Sequence, residues 1–172
     1  ENTTALLCLP ITYIAGKMML IRAITLGWHL DSIEANSNPL ENVDKEYNFS
    51  AMVPLQLENS LSKIHLIKKI IVGGGVVSNS LQEKLQDIST AVFATYGMTE
   101  TITHIAVKKL NKYSSLRGKM TKQSVVQNET TLLNNAKNNK IASLKNARKD
   151  KFYEILPNVT IYKDQRNCLV IS

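Results

Sequence analysis

Apolar positions in the first part of the chain follow two different periods, and this predicts strands alternating with helices. Continuous apolar runs at residues 4–10, 69–72 and 91–96 predict buried strands, and a further strand begins at residues 28–30. Residues 103–107 alternate between apolar and polar side chains, as a half-buried strand does. Because helical segments separate these strands, the pattern predicts an α/β domain.

Four helical segments are predicted between the strands. The longest covers residues 11–26, where apolar side chains recur at helical spacing and Gly27 is placed to cap the carboxyl end. Two short helices are predicted at residues 52–61 and 61–68, and a fourth from about residue 81 to 88. The predicted inward face of the longest helix consists of Ile14, Met18, Ile21 and Thr25.

Polar and turn-forming stretches mark the limits of the elements. Residues 31–47 are polar and are predicted to form a loop. Ser80 and Glu83 have the spacing of a capping box, so the fourth helix is expected to start beside them. Near the end of the chain, residues 159–162 and 168–171 predict the two strands of a hairpin.

Length and composition fit one globular unit. The chain has 172 residues, of which 44% are hydrophobic, enough to bury a core. The most apolar window, residues 9–30, is interrupted by Lys17 and Arg22, which argues against a membrane span. Cys8 and Cys168 have no metal-site spacing and are predicted to be buried free thiols, which suits the cytoplasm.

The net charge of +7 comes from one region of the chain. Residues 108–151 hold 12 of the 21 lysine and arginine residues against two acidic ones, so this region alone carries +10 and the rest carries −3. A lysine-rich solvated insertion, either a mobile loop or a solvated helix around residues 131–148, is the favoured interpretation. A nucleic-acid surface is the less favoured one, because Tyr113 is the only aromatic residue there to stack on bases.

The motif that carries most chemistry follows the strand at residues 91–96. Tyr96-Gly97-Met98-Thr99-Glu100 places a ring, a glycine, a hydroxyl and a carboxylate at the strand's carboxyl end. Gly73-Gly74-Gly75 ends the preceding strand in the same way. Because open α/β sheets bind ligands at the carboxyl ends of their strands, these two segments predict one nucleotide-phosphate site.

These motifs resemble the adenylate-forming family of acyl- and aryl-CoA synthetases, whose signature here is a Tyr-Gly-x-Thr-Glu segment preceded by a glycine-rich strand end. Within that family, several sequence segments are similar to those of the o-succinylbenzoate–CoA ligases of menaquinone synthesis. The resemblance covers roughly residues 1–111 and 152–171. The narrower similarity rests on Leu9-Pro10, Tyr13-Ile14-Ala15-Gly16, Arg22, Val53-Pro54-Leu55-Gln56-Leu57 and Ile71-Val72-Gly73-Gly74-Gly75.

The resemblance implies a domain organisation and a reaction. It implies part of a large N-terminal domain, with an α/β nucleotide- and acyl-binding subdomain at residues 1–111, a basic polar insertion at 112–151 and the start of a small β-barrel-like subdomain at 152–172. The reaction is AMP-forming: an aromatic carboxylic acid attacks the α-phosphorus of ATP, and the CoA thiol then displaces AMP from the acyl-adenylate.

The resemblance also implies roles for the motif residues. Thr99 would hydrogen-bond the α-phosphate, Glu100 would ligate Mg²⁺, and Tyr96 with Gly97 would flank the adenine. The backbone of Gly73, Gly74 and Gly75 would approach the base and the acyl group. Ordinary alternatives stay open: a core tyrosine, a helix cap at Thr99 and a plain glycine turn.

Acid binding is assigned to the first helix. Arg22 and Lys17 are candidates for the second carboxylate of o-succinylbenzoate, which needs a cationic partner once it is desolvated. Tyr13 is a candidate for lining the acyl or pantetheine path. The alternatives are solvated helix positions for the two cations and plain packing for Tyr13, while His104 is interpreted as a hydrogen-bonded structural histidine.

Other parts of the family's machinery are not found in the sequence. Neither the phosphate loop ending in lysine nor the ribose-binding aspartate and lid lysine is present, so the chain is expected to be an internal excerpt that is inactive by itself. A non-catalytic nucleotide-binding module and a nucleic-acid-binding protein are the alternative functions. A homodimer is left open, and no membrane partner is expected.

Overall fold

A seven-stranded sheet organises the part of the chain that the computed structural model describes, residues 2–101, 103–111 and 153–172. Its strands are β1 (Thr4–Leu7), β2 (His29–Ser32), β3 (Tyr47–Met52), β4 (Ile67–Val72), β5 (Ala91–Gly97), β6 (His104–Lys109) and β7 (Glu154–Ile155). A separate antiparallel pair is formed by β8 (Ile161–Lys163) and β9 (Leu169–Ile171). The predicted C-terminal hairpin is therefore present.

Within the described ranges, three helices and two 3₁₀ turns connect the strands. The helices are α1 (Ile14–Leu26), α2 (Pro54–Asn59) and α3 (Asn79–Lys84), and the 3₁₀ turns are Leu61–Leu66 and Thr99–Thr101. Gly27 caps α1 in the left-handed region at φ 64°, which confirms its predicted role. In the described residues, no helix is long and apolar enough to span a bilayer.

The strand order is β2-β1-β3-β4-β5-β6-β7, and the connections between strands change direction at β1. From β1 the chain crosses to β2 on one side and then returns to form β3 on the other side of β1. Strands β1 to β5 are parallel, whereas β6 and β7 run antiparallel to their neighbours. In such sheets the crevice beside the switch, at the carboxyl ends of the strands, is where ligands bind. The architecture confirms the predicted α/β class.

The two faces of the sheet carry cores of different size. On one face, α2, α3 and the first 3₁₀ turn cover a large core whose fully buried members include Leu57, Ile64, Ile70, Leu81 and Leu85. On the other face, α1 covers a small one. Its buried members are Ala5, Leu7, Met19 and Ala51.

The inward face of α1 differs from the predicted one. The buried helix residues are Gly16, Met19 and Ala23, whereas Ile14 and Ile21 are more than half exposed. The reason is a backbone contact, because a Cβ at Gly16 would lie 2.2 Å from the carbonyl oxygen of Pro10. The glycine lets the helix approach that loop closely and so fixes which side turns inward.

Strand β3 was not predicted, because the polar residues Asn48 and Ser50 interrupt its apolar positions. Residues 31–47 were expected to be loop, and residues 52–61 helix. The buried Ser50 hydroxyl donates to the carbonyl oxygen of Leu6 (2.9 Å), and the Asn48 side chain accepts a bond from the Thr4 N–H (2.9 Å). These bonds satisfy polar groups inside the sheet, so an interior strand needs no continuous apolar run here.

Three further predictions need correction. The cap of α3 is Ser78, whose hydroxyl accepts a bond from the Leu81 N–H (3.1 Å), rather than Ser80. The predicted helix at residues 61–68 is a 3₁₀ turn that ends at the start of β4. Cys168 is exposed rather than buried, because it follows the turn of the hairpin, while Cys8 is buried as predicted.

Strand β7 joins the large sheet beside β6, while β8 and β9 form their own sheet. The basic insertion at residues 112–151, with its predicted loop or helix around 131–148, lies outside the described residues. The three predicted segments and the two boundaries between them stay predictions.

Candidate functional site

A cavity of about 640 Å³ opens at the carboxyl ends of β3, β4 and β5, on the face that α1 covers. It lies beside the switch in strand order, where the end of β1 and the end of β3 diverge. Apolar side chains form most of its wall. They are Leu9, Ile14, Ala15, Met18, Ala51, Met52, Val53, Ile71 and Met98.

Three glycines bring bare backbone to this cavity. Gly73, Gly74 and Gly97 line it, and Gly74 is in the left-handed region at φ 76°. A Cβ at Gly97 would lie 2.6 Å from the carbonyl oxygen of Thr103, so only glycine allows the strand end to pass that close. The register of β5 against β6 shifts between Tyr96 and Gly97, where the ladder begins to separate. A flat ligand can therefore approach the backbone directly.

Two ionisable residues line the cavity among the described residues, and both take positive charge. Arg22 comes from α1 and His104 from the first position of β6, and each is half-buried. Burial lowers the pKa of Arg22. Burial and, second, the charge of Arg22 lower the pKa of His104. The cavity thus combines an apolar wall with a positive pole, which suits an apolar ligand that carries an anionic group.

The Thr99–Thr101 turn forms a bend after β5. The Thr101 hydroxyl accepts a bond from the Met98 N–H (3.0 Å) and lies 2.9 Å from the carbonyl oxygens of both Met98 and Thr103. These bonds close the turn on itself, so Glu100 is presented outward. The geometry of the bend comes from Thr101, a residue to which the sequence analysis gave no role.

Glu100 lines a second hollow between the bend and the β8–β9 pair, next to the cavity, which is the first hollow. Met98, Thr103 and His104 belong to both hollows. The members found only in the second are Glu100, Thr101, Ile105, Asn158, Val159, Ile171 and Ser172. The structure therefore divides the single predicted site between two adjoining hollows.

Tyr96 lies on the opposite face of β5 from the cavity. Side chains alternate along a strand, so Thr95 and Gly97 face the cavity and Tyr96 does not. The Tyr96 ring is 47% exposed and packs edge-on against Tyr153, with 6.2 Å between ring centroids. It is available to a flat ligand on that side of the sheet.

The other predicted residues lie at the edge of the cavity or outside it. Tyr13 is 69% exposed at the position before α1, and Lys17 is exposed on that helix. Neither is among the described residues that line the cavity, and Gly75 is not either. Of the three substrate-binding candidates, the structure brings only Arg22 to the cavity.

Sequence reasoning assigned no ligand-facing role to several cavity residues. His104 was interpreted as structural, and Thr95, Met98 and Thr103 were given no role. A signal existed for Thr95 and His104, because the period of two counted outward from Gly97 places Thr95 on the cavity side, and His104 pairs with Gly97 across the ladder. Such counting identifies the face, although only the folded chain shows that the face is open.

The oxygen-bearing side chains of the second hollow can be compared with the ligands that Mg²⁺ prefers. Glu100 is its single carboxylate, beside the hydroxyl groups of Thr101 and Thr103. In the described residues there is no cluster of three or more histidine, cysteine, aspartate or glutamate side chains that could hold a metal by itself. One carboxylate with phosphates and water completing the shell is the usual set for Mg²⁺, so the residues fit.

Comparison with known proteins finds similarity to AMP-forming acyl-CoA synthetases. No protein-family model matches the chain. An acyl-CoA synthetase (AMP-forming)/AMP-acid ligase II-like protein from Dyadobacter fermentans DSM 18053 is 32% identical and superposes with a TM-score of 0.73, over 100% of this chain and 41% of that one. Over its whole length the chain is therefore similar in sequence and fold to an AMP-forming acyl-CoA synthetase.

Two other similar proteins carry a narrower name. The 2-succinylbenzoate–CoA ligase of Lactococcus lactis subsp. lactis (strain IL1403) is 27% identical over 109 residues, 60% of this chain and 24% of that protein. The o-succinylbenzoate coenzyme A synthetase of Bacillus subtilis, solved in complex with AMP, is 25% identical with a TM-score of 0.55. That similarity covers 64% of this chain and 30% of that one. The chain thus spans well under half the length of these relatives.

Proposed function

We propose that this synthetase-family chain contributes the acid-binding cavity and one wall of the nucleotide site to an ATP-dependent acid–CoA ligase. The reaction would run through an acyl-adenylate, with o-succinylbenzoate as the acid. The observation that carries the proposal is the apolar cavity with Arg22 at its wall and Gly73, Gly74 and Gly97 at the strand ends. The similarity to two succinylbenzoate ligases supports the choice of acid.

The acid would lie in the cavity between α1 and the sheet. Its ring would contact Met18 and Ile71, and the glycine backbone would leave room for it near Gly73. Its second carboxylate, once removed from water, needs a charged donor, and Arg22 supplies one at the cavity wall. Lys17 and Tyr13 would act from the exposed side of α1, towards the entering acid or the CoA arm.

The nucleotide would lie across the carboxyl ends of β4 and β5. Tyr96 and Gly97 would flank the adenine, together with the backbone of Gly73–Gly75. The hydroxyl of Thr99 would donate to the α-phosphate, where charge develops as the acid attacks. Fixed donors aimed at such charge lower the barrier more than binding alone does, because they cost no reorganisation. The acid and the phosphorus would then be held for an in-line attack.

Glu100 is the residue that would hold Mg²⁺, in the hollow next to the acid cavity. When bound, the ion would neutralise negative charge on the phosphates. The proposal also requires a phosphate loop, a ribose-binding aspartate and a lid lysine outside residues 1–172. The chain alone would therefore be inactive, and CoA, ATP and the acid are proposed as ligands of the full-length protein.

The test is acid-dependent pyrophosphate release by the full-length protein that contains this chain, with ATP, Mg²⁺ and a panel of aryl and acyl acids. We expect release with o-succinylbenzoate above the rest of the panel. Glu100→Gln should lower turnover about 100-fold, since a metal ligand is lost. The matched control, Glu83→Gln on the exposed side of α3, should keep full turnover.

Three outcomes would count against parts of the proposal. No release with any acid would remove the ligase activity itself. Release with other acids but not with o-succinylbenzoate would keep the acid–CoA ligase and remove only the named substrate. Equal turnover of Glu100→Gln and Glu83→Gln would remove the metal assignment.

A further inference from the structure

The ring of Tyr96 receives little support from its own strand. Tyr96 is the last residue of β5 with a side chain, because Gly97 ends the strand. The register against β6 shifts between these two residues, and the ring is nearly half exposed. An exposed side chain at a strand end can adopt several rotamers, and it loses that freedom when a ligand stacks on it. A ring that another residue already holds in place therefore binds a flat ligand at a smaller entropic cost.

The sheet leaves room for this ring on the face opposite the acid cavity. Tyr96 pairs with Ala106 of β6, and Ala106 pairs with Ile155 of β7, so the three side chains form one row across the three strands. The middle member of the row has the smallest side chain and is buried. Because alanine occupies that position, the ring of Tyr96 can extend over β6 towards β7.

Tyr153 contacts the Tyr96 ring from the side of β7. It is the residue directly before that strand, and its ring packs edge-on against Tyr96 with 6.2 Å between centroids and 64° between ring planes. Aromatic pairs prefer such edge-on arrangements, because the positive edge of one ring meets the negative face of the other. The contact connects two strands that are separated by β6 in the sheet.

Backbone pairing holds β7 against β6 independently of the two rings. The two residues of β7 pair with Ala106 and Val107. The N–H of Leu156, just after the strand, donates to the carbonyl oxygen of Ile105 (2.8 Å). These bonds fix the backbone next to Tyr153, so this ring can act as a support whose position does not depend on Tyr96.

We propose that Tyr153 is a positioning residue of the nucleotide site, which holds the Tyr96 ring in the orientation on which adenine stacks. The inference rests on the proposed function, which places the adenine beside Tyr96. Tyr153 acts through Tyr96, and it contacts neither the phosphates nor the acid. The nucleotide site then includes a residue from the segment that follows the basic insertion at residues 112–151.

Loss of this support should weaken the binding of the base without changing the chemical step. Tyr153→Ala leaves the Tyr96 ring to be ordered by the nucleotide itself, which lowers the affinity. An edge-on ring contact corresponds to a change in affinity of about three- to tenfold. In pyrophosphate release by the full-length protein, the KM for ATP should rise by that factor. The kcat and the KM for the acid should stay at their wild-type values, because only ground-state binding of the base is affected.

Two further variants separate the ring contact from other effects. Tyr153→Phe keeps the ring that makes the edge-on contact, so it should restore the KM for ATP. Tyr162→Ala removes a tyrosine of β8 that is 45% exposed, against 46% for Tyr153. Among the described residues that line the cavity and the second hollow, Tyr162 is absent. This control should leave all the kinetic constants unchanged.

A double variant tests whether Tyr153 acts through Tyr96. Tyr96→Ala removes the ring on which the base would stack, so the addition of Tyr153→Ala should raise the KM for ATP no further. Two independent contacts with the base would instead give effects that multiply. Multiplied effects would overturn the positioning role of Tyr153.

Binding of AMP measures the same effect without any reaction. Calorimetry on the full-length protein should show AMP binding about three- to tenfold more weakly to Tyr153→Ala than to the wild type or to Tyr153→Phe. Ribose 5-phosphate lacks the base, so as an inhibitor against ATP it should act equally on all three proteins. Equal weakening of both ligands would assign the effect to the structure of the site as a whole and overturn the inference.

The outcomes separate this inference from the proposed function. Pyrophosphate release with an unchanged KM for ATP in Tyr153→Ala, or with an equal rise in Tyr153→Phe, overturns the support by the ring and leaves the ligase standing. A parallel rise in the KM for the acid also overturns it. AMP binding that depends on the Tyr153 ring, without pyrophosphate release from any acid, supports the inference and removes the ligase.

Discussion

The two faces of the seven-stranded sheet differ in how completely they are filled. One face carries a continuous core in which Leu57, Ile70 and Leu81 are at most 1% exposed. The other has a small core under α1 and, beside it, a cavity of about 640 Å³. Both faces are built from the same strands, since neighbouring residues of β3, β4 and β5 point to opposite sides.

The difference shows where stability and ligand chemistry are separated in this fold. Ile70 and Val72 of β4 point into the large core, while Ile71 between them lines the cavity. Large branched side chains fill the first face, whereas glycines and half-exposed side chains border the second. A substitution should therefore affect folding or ligand binding according to the face on which it falls.

The largest difference in stability between the two faces is expected when one side chain is shortened on each face. Leu57→Ala removes a fully buried side chain and should lower the free energy of unfolding by about 2–5 kcal/mol. Met18→Ala, whose side chain already borders open space, should cost less than about 1 kcal/mol. Urea unfolding of the two variants measures both. Equal losses would show that the cavity is filled by protein.

A smaller effect on stability is expected at the carboxyl ends of β1 and β3, where the two strands diverge. The buried amide of Gln56 donates to the carbonyl oxygens of Cys8 (2.9 Å) and Asn36 (2.9 Å), and its oxygen accepts a bond from the Val53 N–H (3.3 Å). Gln56→Leu should lower the free energy of unfolding by about 1–3 kcal/mol, because buried backbone groups lose their partners.

The matched control for Gln56→Leu is Asn59→Ala. Its exposed amide makes one bond, to the Ser37 carbonyl oxygen (3.0 Å), and the change should cost no more than about 0.5 kcal/mol. Unfolding curves of both variants decide the question. A cost at Asn59 as large as at Gln56 would mean that burial does not set the difference.

Glycine substitutions sharpen the comparison at the strand ends. In Gly97→Ala the new Cβ would lie 2.6 Å from the Thr103 carbonyl oxygen, so backbone must shift and we expect a loss of about 1–3 kcal/mol. In Gly75→Ala the nearest atom is Pro54 Cγ at 3.5 Å, an ordinary contact, and the cost should stay within about 0.5 kcal/mol. Thermal unfolding gives both values. A silent Gly97→Ala would contradict the close approach of the bend.

The smallest expected effect lies on the surface, away from both faces. Hydrogen bonds from Lys45 (2.7 Å) and Tyr47 (2.9 Å) lower the pKa of the Asp31 carboxyl below its ordinary 3.8. A carboxyl with a depressed folded pKa adds stability above its unfolded pKa and loses it as the pH falls through the folded pKa. Lys45→Met should therefore flatten the loss of stability below pH 4.

Urea midpoints measured between pH 6 and pH 3 check this prediction. Asp87→Asn is the control, an exposed carboxyl for which the described residues show no side-chain hydrogen bond. This variant should lose stability below pH 4 to the same extent as the wild type. An unchanged loss in Lys45→Met would assign the shift to Tyr47 instead.

Apolar runs and glycines made most of the sheet predictable from the sequence. The strands at residues 91–96 and 69–72 and the cap at Gly27 depend on local chemistry, which a sequence displays directly. Strand β3 was missed because Ser50 and Asn48 are satisfied by bonds to residues more than 40 positions away. No local pattern contains such partners.

The candidate site was predictable in its segments but not in its arrangement. The motif around Tyr96 and the glycines at 73–75 were found, and Arg22 was selected by resemblance. What could not be found is which side of β5 each residue takes relative to open space. That depends on α1 covering only part of one face, which in turn depends on the contact of Gly16 with Pro10.

Met98, Thr103 and His104 line both hollows. A substitution at any of these three positions therefore changes the shape of both hollows together. The proposed acid side and the proposed nucleotide side could not be redesigned separately through these residues.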